Sequence, residues 1–345
     1  MIAIRADAGP LIGAGHVMRC LSIAAALKSA GEKVALITAD GQAASLIERA
    51  GIRHIALNTD WKRLPEETGL LVPLTKRLGA SLLLVDSYLA TPEYIKELKQ
   101  YMAVACLDDL QEDVFPADLV INYNITADRA KYETMYRGRG TVLLLGTEYV
   151  PLRPEFRRTE PPAIQNRIRR IFLSAGGGRQ DDFTAALADR LLREKTFDDA
   201  RLVAAPGVRF GHGRLQTLSQ GCPRLELLRK PEAVKEKMET CDAAVSAGGL
   251  TLYELCACGV PTAVFSLADN QSGARKAFCA RGIMADCGDL RNGRAECLRH
   301  IAEALSALED PAVRFSLREK AFRITDGLGA GRIASVLAGF DRSGK

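Results

Sequence analysis

A chain of 345 residues with a net charge of +5 is long for one hydrophobic core and ordinary for two domains. Hydrophobic residues make up 47% and charged residues 26%, which excludes a disordered or fibrous chain. Aromatics are only 6% and arginines cluster only at Arg157–Arg158 and around Arg167, Arg169 and Arg170, so the basic aromatic stripe of a nucleic-acid surface is missing. No apolar run approaches the roughly 20 residues of a membrane span. The start, MIAIRADAG, lacks the basic and long apolar regions of a signal peptide, so a cytoplasmic location is expected. Nine cysteines form no framework. Cys256 and Cys258 are the only close pair, and C-x-C in a helical run is poor zinc spacing. Reduced thiols are therefore expected. The mild positive excess suits a small anionic ligand.

In chain order, MIAIRA, KVALIT, SLLLVD, MAVACL, DLVIN and TVLLLG read as buried strands. Helical periods lie between several of them, at residues 16–30, 43–50 and 91–100. Residues 157–167, RRTEPPAIQNR, break the pattern and read as a linker. Alternation resumes with IFLSAGGG, DDARLVAAPG, LELL, DAAVSAGG and GVPTAVFSL. Residues 311–340 are helical by period. These elements predict an α/β protein with two doubly wound Rossmann-like domains, residues 1–157 and 168–310. Residues 311–345 are expected to be helices packing across the domain junction. Open α/β sheets bind ligands beyond the carboxyl ends of their strands, so a central cleft faced by both domains is the expected site.

Candidate residues are those just after strands. GAGHVMR, residues 13–19, joins the first strand to a helix. Its glycines permit a tight turn and close approach to a ligand. The dinucleotide fingerprint G-x-G-x-x-G fails because Met18 holds the third glycine position. His16 at this helix start is either a general base or a histidine that only bonds a neighbouring loop. Gly15 and Arg19 are expected to contact substrate.

SAGGLTLYELCACGVP, residues 246–261, is a second such junction. Gly248, Gly249 and the backbone of Leu250 and Thr251 at a helix start can cradle a diphosphate. Glu254, expected in the first turn, can accept bonds from a ribose diol. Asn270 and Gln271 in SLADNQ suit sugar hydroxyls or acetamido groups, or serve only loop turns. In VDSYLATPEY, Thr91 and Pro92 are explained by helix capping and Tyr88 is not. SAGGGRQDDF, residues 174–183, lacks the GK[ST] ending of a P-loop. Asp108–Asp109 and Asp181–Asp182 are acidic pairs without D-x-D or histidine spacing, so no metal is expected. His54, His212 and His300 carry no constellation.

The segments DAGPLIGAGHVMRCLSIAAAL, VDSYLATPEY, LDDL, DLVINYN, LLGTEYVPLRPEF and SAGGLTLYELCACGVPTAVFSLADNQ resemble the pseudaminic-acid pathway hydrolases. Those enzymes act on UDP-2,4-diacetamido-2,4,6-trideoxy-β-L-altropyranose. The likeness runs in order from the first strand to about residue 285. The second half alone also looks like GT-B glycosyltransferases of peptidoglycan precursor synthesis, and spore-coat polysaccharide proteins share the general pattern. The resemblance implies a GT-B fold and a UDP-sugar partner. It implies hydrolysis to UDP and free sugar with no metal; attack from the face opposite UDP would invert the anomeric centre, and no cofactor is expected. By position, His16 matches the family's proposed base. Tyr88 and Asn270 match residues near the sugar; Gly15, Gly249 and Glu254 match the nucleotide-holding pattern. One departure is GGGRQDD, where the family usually has a GG-S-D-like turn, which puts the role of Gly176 to Arg179 in doubt.

Overall fold

In a computed structural model the chain forms two compact units, Met1–Pro154 with Gly327–Lys345, and Glu155–Asp326. The structure describes residues 1–9, 12–176, 181–206, 213–228 and 233–343.

The first unit holds strands β1 (Ile2–Ala6), β2 (Val34–Thr38), β3 (Arg53–Ala56), β4 (Leu82–Asp86), β5 (Ala103–Leu107), β6 (Leu119–Asn122) and β7 (Val142–Leu145). They form one parallel sheet in the order β3-β2-β1-β4-β5-β6-β7. The second unit holds β8 (Arg170–Ser174), β9 (Arg201–Ala205), β10 (Leu225–Leu227), β11 (Ala243–Ala247), β12 (Thr262–Ser266) and β13 (Ala285–Asp289). Its sheet is also parallel, in the order β10-β9-β8-β11-β12-β13. Both are doubly wound: the chain builds outward one way, then returns to the centre and builds the other way.

The central strands are mostly apolar, as strands covered by helices on both faces are. Strands β1, β4, β11 and β12 are buried at every residue. One core of the first unit gathers Ile37, Leu83, Val85, Ile95 and Val104. The main core of the second gathers Ile171, Leu173, Phe183, Val245 and Phe265. Burial of such side chains contributes roughly 1.5–3 kcal/mol each.

The two sheets contain β3 and β13 beyond the apolar runs visible in the sequence. Both are edge strands. β3 reads RHIA, is partly exposed and pairs only β2. β13 reads ADCGD, whose two acids and glycine leave no apolar signal. The segment 311–345 is divided between the units. Helix Pro311–Ala321 belongs to the second, beside helix Leu250–Cys258. Helix Gly329–Ser343 belongs to the first and lies against helix Gly15–Ser29.

Gly329 lets the start of this helix approach the backbone of Tyr149 and Val150. A Cβ there would stand 2.3 Å from the carbonyl oxygen of Val150 and 2.5 Å from the carbonyl carbon of Tyr149, both rigid backbone. Gly329→Ala is therefore expected to cost about 1–3 kcal/mol, as overpacking does. Gly331→Ala, whose Cβ would meet nothing within 4 Å, is expected to be neutral or slightly stabilising. Urea unfolding of both variants checks this; equal effects would refute the close-approach account.

Candidate functional site

In the first unit the strand order reverses between β1 and β4, and Ala6 pairs with Asp86 across that point. Ligand sites in open sheets form outside the carboxyl ends of strands at this position. After β1 the chain makes a turn closed by paired Gly9 and Gly13 backbone bonds, with Gly13 at φ +74°. Helix Gly15–Ser29 then starts with no side-chain cap. Its first-turn N–H groups are left for an outside partner.

His16 and Arg19 are three residues apart on this helix, so they share a face. Both reach Asp86, the last residue of β4. His16 Nδ1 lies 2.6 Å from Asp86 Oδ1. Arg19 forks onto the same carboxylate, with Nε 2.6 Å from Oδ2 and Nη2 2.5 Å from Oδ1. Its Nη1 donates to Asp109 Oδ2 at 2.6 Å and to Tyr123 Oη at 2.7 Å. Asn124 donates to the other oxygen of Asp109 at 2.8 Å. Asp109 follows β5, and Tyr123 and Asn124 follow β6, so three strand ends and one helix start supply one polar cluster.

The network assigns the tautomer of His16. A carboxylate accepts only, so the 2.6 Å contact requires the proton on Nδ1. In the neutral ring this tautomer leaves the lone pair on Nε2. The Asp86 carboxyl is wholly buried (1% exposed). Burial alone would raise its pKa, but the guanidinium of Arg19, then the ring of His16, hold it well below the usual carboxylate range. His16 is only 7% exposed. Tyr88 stands edge-on to its ring, centroids 4.5 Å apart, and donates to Asp109 at 3.1 Å. Tyr88 is 40% exposed, so it walls the histidine while remaining open to a ligand.

The expected role of Arg19 as a substrate contact is corrected. It is buried and its Nε, Nη1 and Nη2 are all committed to Asp86, Asp109 and Tyr123. Arg19 orients the carboxylate that orients the histidine. Gly15 is the first residue of the helix, exposed, and a Cβ there would meet nothing within 4 Å.

In the second unit the order reverses between β8 and β11. β11 ends at Ala247, and helix Leu250–Cys258 follows Gly248 and Gly249. Gly249 has φ +154° and ψ −168°, a conformation closed to most side chains. It is exposed, and a Cβ there would meet nothing within 4 Å. The helix start has no side-chain cap, so the N–H groups of Leu250 and Thr251 lack intrahelical partners.

Three expectations in this unit change. Gly248 does not offer its N–H to a phosphate, because that group donates to Phe265 O at 2.9 Å. It is glycine because a Cβ would stand 2.8 Å from that of Gln271. Gln271 braces the loop after β12, its Oε1 accepting from Leu267 N at 2.9 Å, while Asn270 beside it is exposed. Glu254 is not in the first turn. The helix begins at Leu250, so Glu254 lies one turn in and is buried. The favourable interaction of an acid with the first turn therefore does not apply to it.

Sequence reasoning missed Asp86 and Asp109 as partners of His16 and Arg19. Each was visible as a polar residue at or just after the end of an apolar strand, but only folding brings β4 beside β1 and β5 beside β4. It also missed Ser266, Ser272, Asp289 and Arg291. Asp289 Oδ2 accepts from Ser266 at 2.9 Å and from Arg291 at 2.8 Å. Those bonds, Arg291 foremost, lower the Asp289 pKa well below the usual carboxylate range. Asp108 is a turn builder, accepting from the N–H groups of Leu110 and Gln111 and from Tyr132 Oη. His54 bonds Thr38, and His300 contacts Arg299. Gly176 has φ +79°; Arg179 and His212 lie outside the described residues. Among the described residues no three His, Cys, Asp or Glu side chains form a group that could hold a metal. No helix among them is long and apolar enough to cross a membrane.

The sequence matches no family model. It is 25% identical over 345 residues to the spore coat polysaccharide biosynthesis protein SpsG of Bacillus subtilis, with 97% of each chain covered. Among solved structures it is similar to Acinetobacter baumannii MurG, with TM-score 0.67, 14% identity, and 97% and 98% of the two chains covered. It is also similar to S. aureus MnaA, solved with UDP, with TM-score 0.64, 13% identity, and 96% and 94% covered. The fold is GT-B, with the two parallel sheets described above.

The Asp86 network makes a stability prediction. Asp86→Asn removes the charge and one of the two acceptor oxygens and leaves Asp109 as the carboxylate paired with Arg19, at an expected cost of about 3–5 kcal/mol. A carboxyl depressed in the folded state stabilises at every pH above its unfolded value of about 4. That contribution is lost as pH falls from there through the folded value. The gap between wild type and Asp86→Asn should be flat over roughly pH 5–8 and shrink below about pH 4. Denaturant titration at each pH measures it; a gap unchanged down to about pH 2 would contradict an ionised Asp86.

Proposed function

We propose that this protein hydrolyses a UDP-linked 2,4-diacetamido-2,4,6-trideoxyhexose at the anomeric C–O bond, releasing UDP and free sugar for pseudaminic-acid synthesis. The observation that carries the reading is the 2.6 Å pair of His16 Nδ1 and Asp86, which leaves Nε2 as a base at the carboxyl edge of β1 and β4. The sugar identity rests on the sequence resemblance. Nucleotide-sugar chemistry is further supported by the UDP in the MnaA structure, and a place in glycan assembly by the name of the Bacillus subtilis relative.

The chemistry asks little of the protein. UDP is a good leaving group, so the acid of an ordinary glycosidase is not required. Nε2 of His16 takes a proton from water. The water oxygen bonds to C1 from the face opposite UDP. The C1–O bond breaks, its electron pair leaves with the diphosphate, and the anomeric centre inverts. Asp86 steadies the imidazolium formed in this step, and Arg19 fixes Asp86. The uncapped start of helix Leu250–Cys258 and the exposed Gly249 are suited to supply donors for a diphosphate. Tyr88, edge-on to the His16 ring, contacts the sugar.

His16→Ala is expected to keep UDP binding, read by titration calorimetry, and to lose about 10²–10⁴-fold in kcat. In ¹⁸O water the label should enter the sugar; label in UDP would mean attack at phosphorus. Incubation without an acceptor separates the other readings. UDP release only on adding an acceptor would make the protein a GT-B glycosyltransferase. Binding without turnover would make it a nucleotide-sugar-binding protein. Near wild-type turnover in His16→Ala would remove His16 from the mechanism.

A further inference from the structure

The second unit carries a cavity of about 310 Å³ away from the Gly249 turn. Asp242 and Pro261, just before β11 and β12, line it, together with Gly259 past the end of helix Leu250–Cys258. It therefore opens at the amino edge of the sheet, whereas Gly249 sits at the carboxyl edge. The nine-residue helix separates the two by about 13 Å. The proposed diphosphate turn and this cavity share a helix and no lining residue.

Arg314 and Arg318, one turn apart on helix Pro311–Ala321, line the cavity. Arg314 is fully buried. Its Nη2 donates to Gln165 O at 2.8 Å, and Arg318 Nη1 donates to Pro162 O at 2.7 Å. Nε and Nη1 of Arg314 and Nε of Arg318 are buried and have no hydrogen-bond partner among the described residues. Neither arginine has an ion pair among the described residues. A buried guanidinium is always charged, and one left without a counter-charge is costly.

The carboxylates on the cavity wall do not answer this charge. Asp242 Oδ2 accepts from the backbone N–H groups of Arg169 and Arg170 at 2.7 and 2.9 Å. Glu239 Oε1 accepts from the Thr159 hydroxyl at 3.0 Å and pairs with Lys235 at 2.9 Å. Of the lining side chains Arg314 and Arg318 are cationic and Asp242 and Glu239 anionic, and both carboxylates are committed elsewhere, Glu239 to Lys235 outside the lining. The remaining wall is neutral, with Ile164, Val260 and Pro261 prominent.

We propose that this cavity is a second ligand site, for a small oxyanion, a phosphate or carboxylate group, held by the free edges of Arg314 and Arg318. The donors are three, and a tetrahedral or planar oxyanion can accept from all of them. The volume is at the low end of small-molecule sites, which admits a compact anionic metabolite and excludes a nucleotide sugar.

The test is thermal unfolding of the full chain in phosphate or acetate, against chloride at matched ionic strength. A ligand of the folded state raises the midpoint in a saturable way. Phosphate alone, acetate alone, or both raising the midpoint identifies the preferred group. Arg318→Gln, which leaves the more deeply buried arginine in place, should raise the apparent Kd roughly tenfold or more, as loss of a charge-assisted bond does. No shift in either anion would overturn the proposal, and so would an equal response in Arg318→Gln, which would locate binding elsewhere. Should that variant not fold, wild-type crystals soaked in selenate decide. An anomalous peak within hydrogen-bond distance of Arg314 Nε or Nη1 supports the site, and a featureless cavity overturns it. None of these readouts involves His16 or sugar hydrolysis, so the proposal stands or falls apart from the proposed function.

Discussion

The carboxylate of Asp86 is the point on which the first unit's chemistry depends. It is buried at the end of a central strand, where an unpaired charge would cost several kcal/mol. Arg19 offsets that cost with a two-point fork, and His16 adds a third donor. The interaction runs both ways. Asp86 stays ionised because Arg19 is there, and His16 keeps its proton on Nδ1 because Asp86 is ionised. Remove the carboxylate and the ring loses the group that fixes which nitrogen is free. Arg19 reaches beyond the pair to Asp109 and Tyr123, so β5 and β6 are tied into the same network. Chains of charged bonds of this kind hold side chains in one geometry better than isolated pairs do.

The second unit solves a different problem with the same architecture. Where the first unit has a histidine and a carboxylate after its central strands, the second has bare backbone. Gly249 adopts a conformation that suits glycine and leaves open space above itself. Gly248 serves close packing against Gln271 instead. Two adjacent glycines thus have separate physical reasons, one facing outward and one inward. A third charged device, Arg5 held by Asp7 and Glu67, is buried in the first unit and braces it without any exposed group.

The alternation of strands and helices was readable because central strands of a parallel sheet are uniformly apolar. Two of the four edges, β7 and β10, were readable from TVLLLG and LELL; the other two were not, because RHIA of β3 and ADCGD of β13 are short and polar. His16 was readable from its place after a strand and its unusual company in GAGHVMR. Its meaning was not, because Asp86 lies 70 residues away in sequence and meets it only through the crossover that sets β4 beside β1. Arg19 looked like a ligand contact for the same reason: a sequence shows a charge but not the carboxylates that absorb it. Glu254 was misplaced by the position of the helix start, which depends on the backbone of Gly249 rather than on a capping side chain.

The last helix has a consequence for the order in which the protein is made. Helix Gly329–Ser343 belongs to the first unit and lies against helix Gly15–Ser29, which carries His16. A ribosome that has reached Pro154 has produced all seven strands of the first sheet and every member of the Asp86 network. It still has the whole second unit to translate before the covering helix appears. During that interval the flank of the His16 helix is bare, and an exposed apolar helix face is a site for misassociation. The first unit is thus begun first and closed last. Synthesis of the second unit is a delay written into the assembly of the first.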